Sequence, residues 1–246
     1  SSTAPVGFIN SLKITSSSAY TVGSSEVFLL SQYVEGLNVS DLAWGTANAK
    51  TVTLSFQVYS SLTGTFGGSI ADSIQAYSYP FTYSISTANT WTTISITIAG
   101  DTTGTWNTTN QRGIAVIFGL GVGSTNSGTA GAWAAANYQS ATGATSVVGT
   151  GSATFYLTGV QLEVGTSATP FERRLYGQEL INCQRYYQKS YEPTTVPGTA
   201  VVADLCLQQA WGVSTNGGIA SANFNLPVSM RTSPTVQFWD AAGNAS

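Results

Sequence analysis

Histidine is absent from all 246 residues. That absence removes Ser-His-Asp and Cys-His catalysis, His-ligated zinc and the commonest general base in one step. Charge is scarce too: 8% of residues are charged, against roughly 25% in ordinary soluble domains, so solvation falls to Ser, Thr, Asn and Gly. A surface of that kind suits a protein outside the cell or on a particle. The basic residues form no run and the formal net charge is −3. Neither nucleic acid nor anionic lipid is therefore expected as a main partner. Apolar stretches such as residues 114–118 fall far short of the about 20 residues a membrane helix needs, and no basic segment followed by an apolar one opens the chain. A soluble protein without membrane insertion or a secretion signal is the expectation.

Two cysteines, Cys183 and Cys206, are too few for a disulfide framework. They are expected as small buried apolar side chains rather than as a bridge. No Walker sequence, dinucleotide fingerprint or Cys-x-x-Cys pair occurs, and the Asn-x-Ser/Thr triplets at Asn38, Asn107 and Asn244 read as chance matches. Glycoside hydrolysis would need two carboxylates. The acids before residue 150 are Glu26, Glu35, Asp41, Asp72 and Asp101; none stands in a catalytic pattern, and each reads as a turn carboxylate bonded locally or solvated. The chain is expected not to be an enzyme.

What the chain does have is alternation. Val52, Leu54, Phe56 and Val58 share one phase of residues 51–59, with Thr53, Ser55, Gln57 and Tyr59 on the other. Residues 91–98 place Ile94, Ile96 and Ile98 on a core face with Trp91 leading in; Trp91 and Phe56 are assigned to the core. Residues 27–35 and 113–122 read as further strands, the latter with glycines where another backbone approaches closely. Phe8, Leu12 and Ile14 suggest a first strand, residues 36–44 a helical turn or loop, and residues 60–68 a loop marked by its glycines. Residues 123–151, rich in small side chains, read as a long loop with a short strand at 132–138. In residues 152–164, Phe155, Leu157, Val160, Leu162 and Val164 alternate with Thr154, Tyr156, Gln161 and Glu163. The phase slips at Thr158 and Gly159, which reads as a β-bulge. Many short strands, Gly-rich turns and little helical periodicity indicate an all-β sandwich.

Beyond Pro170 the composition changes. Six of the nineteen formal charges lie between residues 172 and 189, residues 178–184 read as a short helix with Leu180, Ile181 and Cys183 inward, and residues 185–191, 200–207, 220–226 and 235–239 read as strands. Asn216 and Gly217 give a hairpin turn. Residues 240–246 look like a turn without a returning strand, so a fragment of a longer chain is expected. The boundary is placed at Thr169, giving residues 1–169 as the sandwich and 170–246 as a smaller β-rich domain with a short helix.

Tyr156-Leu-Thr-Gly-Val-Gln-Leu-Glu-Val-Gly165, then Thr169 to Glu172, Tyr176 to Leu180 and Cys183 to Tyr187 resemble a recurrent segment of bacteriophage tail-fibre and virion-fibre proteins. The likeness extends upstream through residues 46–56, 60–68 and 89–94. It implies a jelly roll similar to carbohydrate-binding modules, followed by a C-terminal region that trimerises. It also implies a homotrimer contacting other virion proteins and host-surface polysaccharide, made in the host cytoplasm and carried on the particle. Modules of this kind often hold calcium through an Asp near the start of the last strand. Here that place reads Thr158-Gly159-Val160-Gln161, without the carboxylate, so no metal or other cofactor is expected; Glu35 and Asp41 are the only alternatives worth testing. Glu172, Arg173 and Arg174 are candidates for ion pairing between chains or domains.

Sugar binding needs flat aromatic faces with amide or hydroxyl donors beside them. Trp44, Tyr79, Trp106, Trp133 and Tyr138 lie among such donors and are the candidate ligand residues, Trp106 and Trp133 first. The alternative is a structural virion part, a head fibre, decoration or shaft module, in which the same aromatics are packing. A third reading, the accessory module of a secreted hydrolase, is disfavoured by the Cys183 to Tyr187 segment.

Overall fold

Residues with alternating apolar side chains have one way to bury them from an extended backbone: two sheets face to face, each contributing every second side chain. The computed structural model describes residues 1–192, 194–200, 226–240 and 242–245 and has this form. Its elements are β1 (Leu12–Thr15), β2 (Val27–Glu35), β3 (Val52–Ser60), β4 (Gly64–Asp72), β5 (Ser78–Ile85), β6 (Thr92–Ile98), β7 (Arg112–Val122), β8 (Ser127–Gly128), β9 (Ser140–Ala141), β10 (Thr154–Val164) and one helix, α1 (Tyr176–Gln184). One four-stranded antiparallel sheet has the order β1-β10-β3-β6 and the other β2-β7-β4-β5. With the two-residue strands β8 and β9 set aside, the chain crosses from one sheet to the other at every step but one, β4 to β5, which pair as a hairpin within the second sheet. By contact the chain divides into two units, Ser1–Glu172 and Arg173–Ser246.

The core of the first unit is built from the predicted phases. Val52, Leu54, Phe56 and Val58 are at most 1% exposed and face Phe66, Ile70, Phe81, Ile114, Val116 and Phe118 of the other sheet. The slip in β10 is a bulge between Thr158 and Gln161; Gly159 takes φ +60 there, a region open to glycine at low cost.

Three readings of this part need correction, and the helical turn or loop expected at 36–44 is made more definite. Residues 64–68 are strand, not loop: they open β4, and while Gly64 takes φ +134, Gly67 and Gly68 are needed by packing, not by turning. A Cβ at Gly67 would overlap Ser140 Oγ, and one at Gly119 of β7 would lie 2.7 Å from the same atom. Residues 123–151 thus fold back across the outer face of the second sheet, over a track cleared of side chains. The strand expected at 132–138 reduces to a bridge between Ser78 and Ala134, while β8 and β9 pair in parallel. Residues 36–44 form two short 3-10 turns, Gly36–Asn38 and Ser40–Leu42. Trp91 lies outside the core, as described below.

In the second unit, α1 exists but buries nothing: Leu180 and Ile181 are 37% and 49% exposed, and Cys183 is free and exposed. The apolar residues at helical spacing that suggest an inward face are not buried. Residues 185–191 form no strand, and residues 235–239 only an isolated bridge from Trp239 to Ala245. Arg174 pairs with Glu179 at 3.7 Å on the surface. Cys206, the strands at 200–207 and 220–226 and the Asn216 turn lie outside the described residues, apart from Ala200 and Leu226.

Two buried hydroxyls, those of Tyr83 and Ser140, are left over among the described residues. Tyr83 stacks on Phe66 (5.7 Å, 18°) and meets Phe56 edge to face (5.1 Å), while its hydroxyl is buried with no hydrogen-bond partner among the described residues. Burial pushes its phenol pKa upward. An orphaned buried hydroxyl costs about 1 kcal/mol or more, so Tyr83→Phe is expected to stabilise the fold by about 1 kcal/mol. Urea unfolding checks this: the midpoint should rise at unchanged slope, and an unchanged or lower midpoint would mean that the hydroxyl is satisfied.

Candidate functional site

Two aromatic groups stand apart from the ordinary core. The first lies where the loops after β2, β6 and β7 meet. Trp44, Trp106 and Trp133 pack edge to face with centroids 4.7, 5.2 and 5.4 Å apart, and Tyr79 at the start of β5 meets Trp133 at 5.3 Å. Four of the five predicted ligand residues are therefore brought together. Tyr138 is not among them; its ring lies flat over Gly128, leaving no room for a Cβ there.

The loop group is saturated by its own chain. Each indole N–H donates to a local acceptor: Trp44 to the Lys50 carbonyl at 2.7 Å, Trp106 to Asp101 Oδ2 at 2.8 Å and Trp133 to the Ala99 carbonyl at 2.8 Å. Trp44 and Tyr79 are 7% and 9% exposed, so they offer a ligand almost nothing, and burial raises the Tyr79 phenol pKa. Trp106 and Trp133 remain half-buried. The cavity beside Trp106, lined also by Val39, Ser40, Leu42 and Asn107, has a volume of about 10 Å³, room for about one water molecule and none for a sugar ring.

Asp101 anchors this group. Only 2% exposed, it accepts from the backbone N–H and hydroxyl of Thr103, both at 3.1 Å, from Gly104 N–H at 2.7 Å and from Trp106. Asp72 does the same work in its turn, accepting from Ala76 and Tyr77 N–H at 2.7 and 3.2 Å. Asp41 pairs with Lys50 at 3.6 Å. Among the described residues, no three potential metal ligands converge.

The second group was not anticipated. On the outer face of the first sheet Lys13 pairs in register with Tyr156, and Tyr156 with Tyr59. Val58 pairs with Thr92, so the position beside Tyr59 is Trp91. Phe155, Leu157 and Val58 point into the core, so Tyr156 and Tyr59 between them point out. The rings touch: Tyr59 to Trp91 at 5.5 Å, Tyr59 to Tyr156 at 5.0 Å and Trp91 to Tyr156 at 6.3 Å, with Lys13 Nζ 5.6 Å over the Tyr156 ring. One row thus crosses all four strands, about 14 Å at the usual inter-strand spacing. Tyr156 is 8% exposed and acts as its base, while Tyr59 and Trp91 are half-exposed.

Along the same face the next rows are polar: Thr158, Gln57 and Thr93, then Gln161, Ser55 and Ser95, then Glu163, Thr53 and Thr97. Gln57 and Thr93, nearest the aromatics, spend no side-chain hydrogen bond within the described residues. Far along the face, Glu163 accepts from the Thr169 hydroxyl and N–H at 2.6 and 2.9 Å and from Gln161 Nε2 at 2.9 Å. These bonds, the Thr169 hydroxyl foremost, hold its carboxyl below the ordinary Glu range. Aromatic faces flanked by amide and hydroxyl groups can stack on a sugar ring and bond its hydroxyls.

No family model matches the chain and no curated protein is similar to it. Among solved structures, one described as "CBM4 structure and function" matches at 13% identity over 58% of this chain and 67% of its own, with a TM-score of 0.33.

Proposed function

We propose that this chain is a glycan-binding attachment module of a bacteriophage virion fibre, acting by recognition and not by catalysis. The sequence resemblance of residues 156–187 to fibre proteins supports the setting. The observation that carries glycan binding is the row of Tyr156, Tyr59 and Trp91, outward-facing on a rigid sheet with unspent Gln57 and Thr93 beside it. A shallow site of this kind binds weakly alone, so several copies supply the avidity. Homotrimers made in the host cytoplasm, joined to other virion proteins and displayed on the particle, would present three such faces to host polysaccharide.

The second reading is a structural part, such as a head fibre, decoration or shaft module. Helix α1 bears on assembly and not on the choice between the two: at nine residues it is shorter than the roughly 12–15 a helix needs to stand alone, yet Tyr176, Leu180 and Ile181 are exposed. A neighbouring copy would cover them in either reading.

The experiment is binding to immobilised host envelope polysaccharides, with oligomer mass followed by light scattering. Wild type is compared with Trp91→Ala and Trp106→Ala. Loss of one stacking face should weaken binding about tenfold in Trp91→Ala at unchanged mass, and Trp106→Ala should bind as wild type if it folds. Loss confined to Trp106→Ala would move the site to the loops. A stable trimer that binds no polysaccharide would leave the structural reading.

A further inference from the structure

We propose that the sheet-face row selects an acidic saccharide, its ring against Tyr59 and Trp91 and its carboxylate on Lys13 Nζ. This rests on the glycan reading and adds to it the chemical class of the ligand. The first unit has three cations, Lys13, Lys50 and Arg112. Lys50 is paired with Asp41, and the Arg112 guanidinium lies 4.2 Å over the Tyr33 ring. Lys13 is exposed, stands in register with the aromatic row, and has no carboxylate in ion-pair reach among the described residues.

Charge elsewhere on the face does not neutralise it. Glu163 is in register with Thr53, six positions from Tyr59 along β3, about 20 Å at strand rise, and its oxygens are occupied by Thr169 and Gln161. The Tyr156 ring beneath holds the ammonium toward the row at a geometry suited to a cation–π contact. In a protein of net charge −3, a single uncompensated cation beside stacking aromatics favours an anionic ligand over a neutral one of the same shape. A single ammonium matches a single negative charge. Phosphate groups are typically gripped by clustered Arg or by converging backbone amides, and here the sheet's amides are spent in the ladder. A ring carboxylate of the uronic-acid kind meets these conditions.

The test is a surface printed with bacterial capsular and lipopolysaccharide chains, each uronate-bearing polymer beside its carboxyl-reduced form, with sulfated polymers added. Wild type should hold the native acid form about tenfold tighter than the reduced form, and the preference should shrink with salt. Lys13→Gln should abolish the preference while keeping the residual binding of the reduced polymer, and Lys13→Arg should restore it. Equal binding of native and reduced polymers would overturn the acidic-sugar proposal and leave the glycan reading intact. A preference for the sulfated polymers would overturn the assignment to a carboxylate. Retention of no polymer at all would overturn both.

Discussion

Asp101→Asn is expected to cost the first unit about 3 kcal/mol, although it changes one atom for another of nearly equal size. Both carboxylate oxygens face donors. Oδ1 accepts from the N–H and hydroxyl of Thr103, and Oδ2 from the Gly104 and Trp106 N–H groups at 2.7 and 2.8 Å. An asparagine amide must aim its NH2 at one of these pairs. Aimed at the second it meets two N–H groups that cannot accept; turned over, it meets the Thr103 N–H, relieved only if the hydroxyl rotates. At 2% exposure little water is present to take over. A buried group left facing its own kind costs about 1–3 kcal/mol for each lost bond, more where a charge was involved. The effect should spread, because Trp106 is held by this bond and packs on Trp44 and Trp133. Urea unfolding followed by tryptophan fluorescence reads it: a midpoint close to wild type would show that the turn is solvated and that the three tryptophans hold themselves.

That carboxylate also shows where sequence reading reaches its limit. Asp101 was legible as a local turn carboxylate, since an Asp followed by Thr, Thr and Gly is a turn by its own chemistry. Its bond to Trp106 depends on where the loop folds back, which no spacing rule contains. The strands were legible where alternation was strict: β2 runs over the expected residues 27–35, β3 and β6 bury the expected phases, and the slip at Gly159 is the bulge in β10. β4 was hidden because three of its first five residues are glycine, and local propensity cannot distinguish a glycine that turns the chain from one that makes room for another segment. Helix α1 was legible as a helix, but not which way it faces.

The same reasoning explains the candidate site. Loop tryptophans look exposed in a sequence because loops usually are, yet here three loops meet and the indoles pack on one another. The sheet-face row needs residues 13, 59, 91 and 156 in register, a pairing over long sequence distance. One signal was present: Tyr59 and Tyr156 both sit in the polar phase of their strands, where Ser, Thr and Gln otherwise stand. Two large aromatics on solvent-facing phases are informative in a way that two on core phases are not. Trp91, preceding an isoleucine-rich strand, reads as core by its neighbours, yet strict alternation already puts it in the phase of Thr93, Ser95 and Thr97, and the register of β3 with β6 places it beside Tyr59 on the outside.

Gly68→Ala should be the most damaging single-methyl change in the first unit, about 3 kcal/mol or more, and sufficient to lower soluble yield. Gly68 lies in the interior of β4, paired on one side with Phe81 of β5 and on the other with Phe118 of β7. Its own phase points into the core, where Phe66 and Ile70 are its neighbours along the strand and are fully buried. A Cβ there would overlap the Ile117 carbonyl oxygen and lie 2.5 Å from the Phe81 ring. Neither can yield cheaply: the carbonyl belongs to a central strand of the sheet, and the ring is 2% exposed against Phe118 and Tyr83. Alanine's better backbone entropy, worth about 0.5–1 kcal/mol, is far too small to offset that overlap. Phe81→Leu in the same chain removes part of the obstructing ring, so the double variant should recover some of what Gly68→Ala loses beyond the sum of the single effects. Recovery would assign the cost to the ring. Strict additivity would assign it to the backbone oxygen, and a Gly68→Ala variant as stable as wild type would mean that β4 and β5 are spaced more widely than this packing requires.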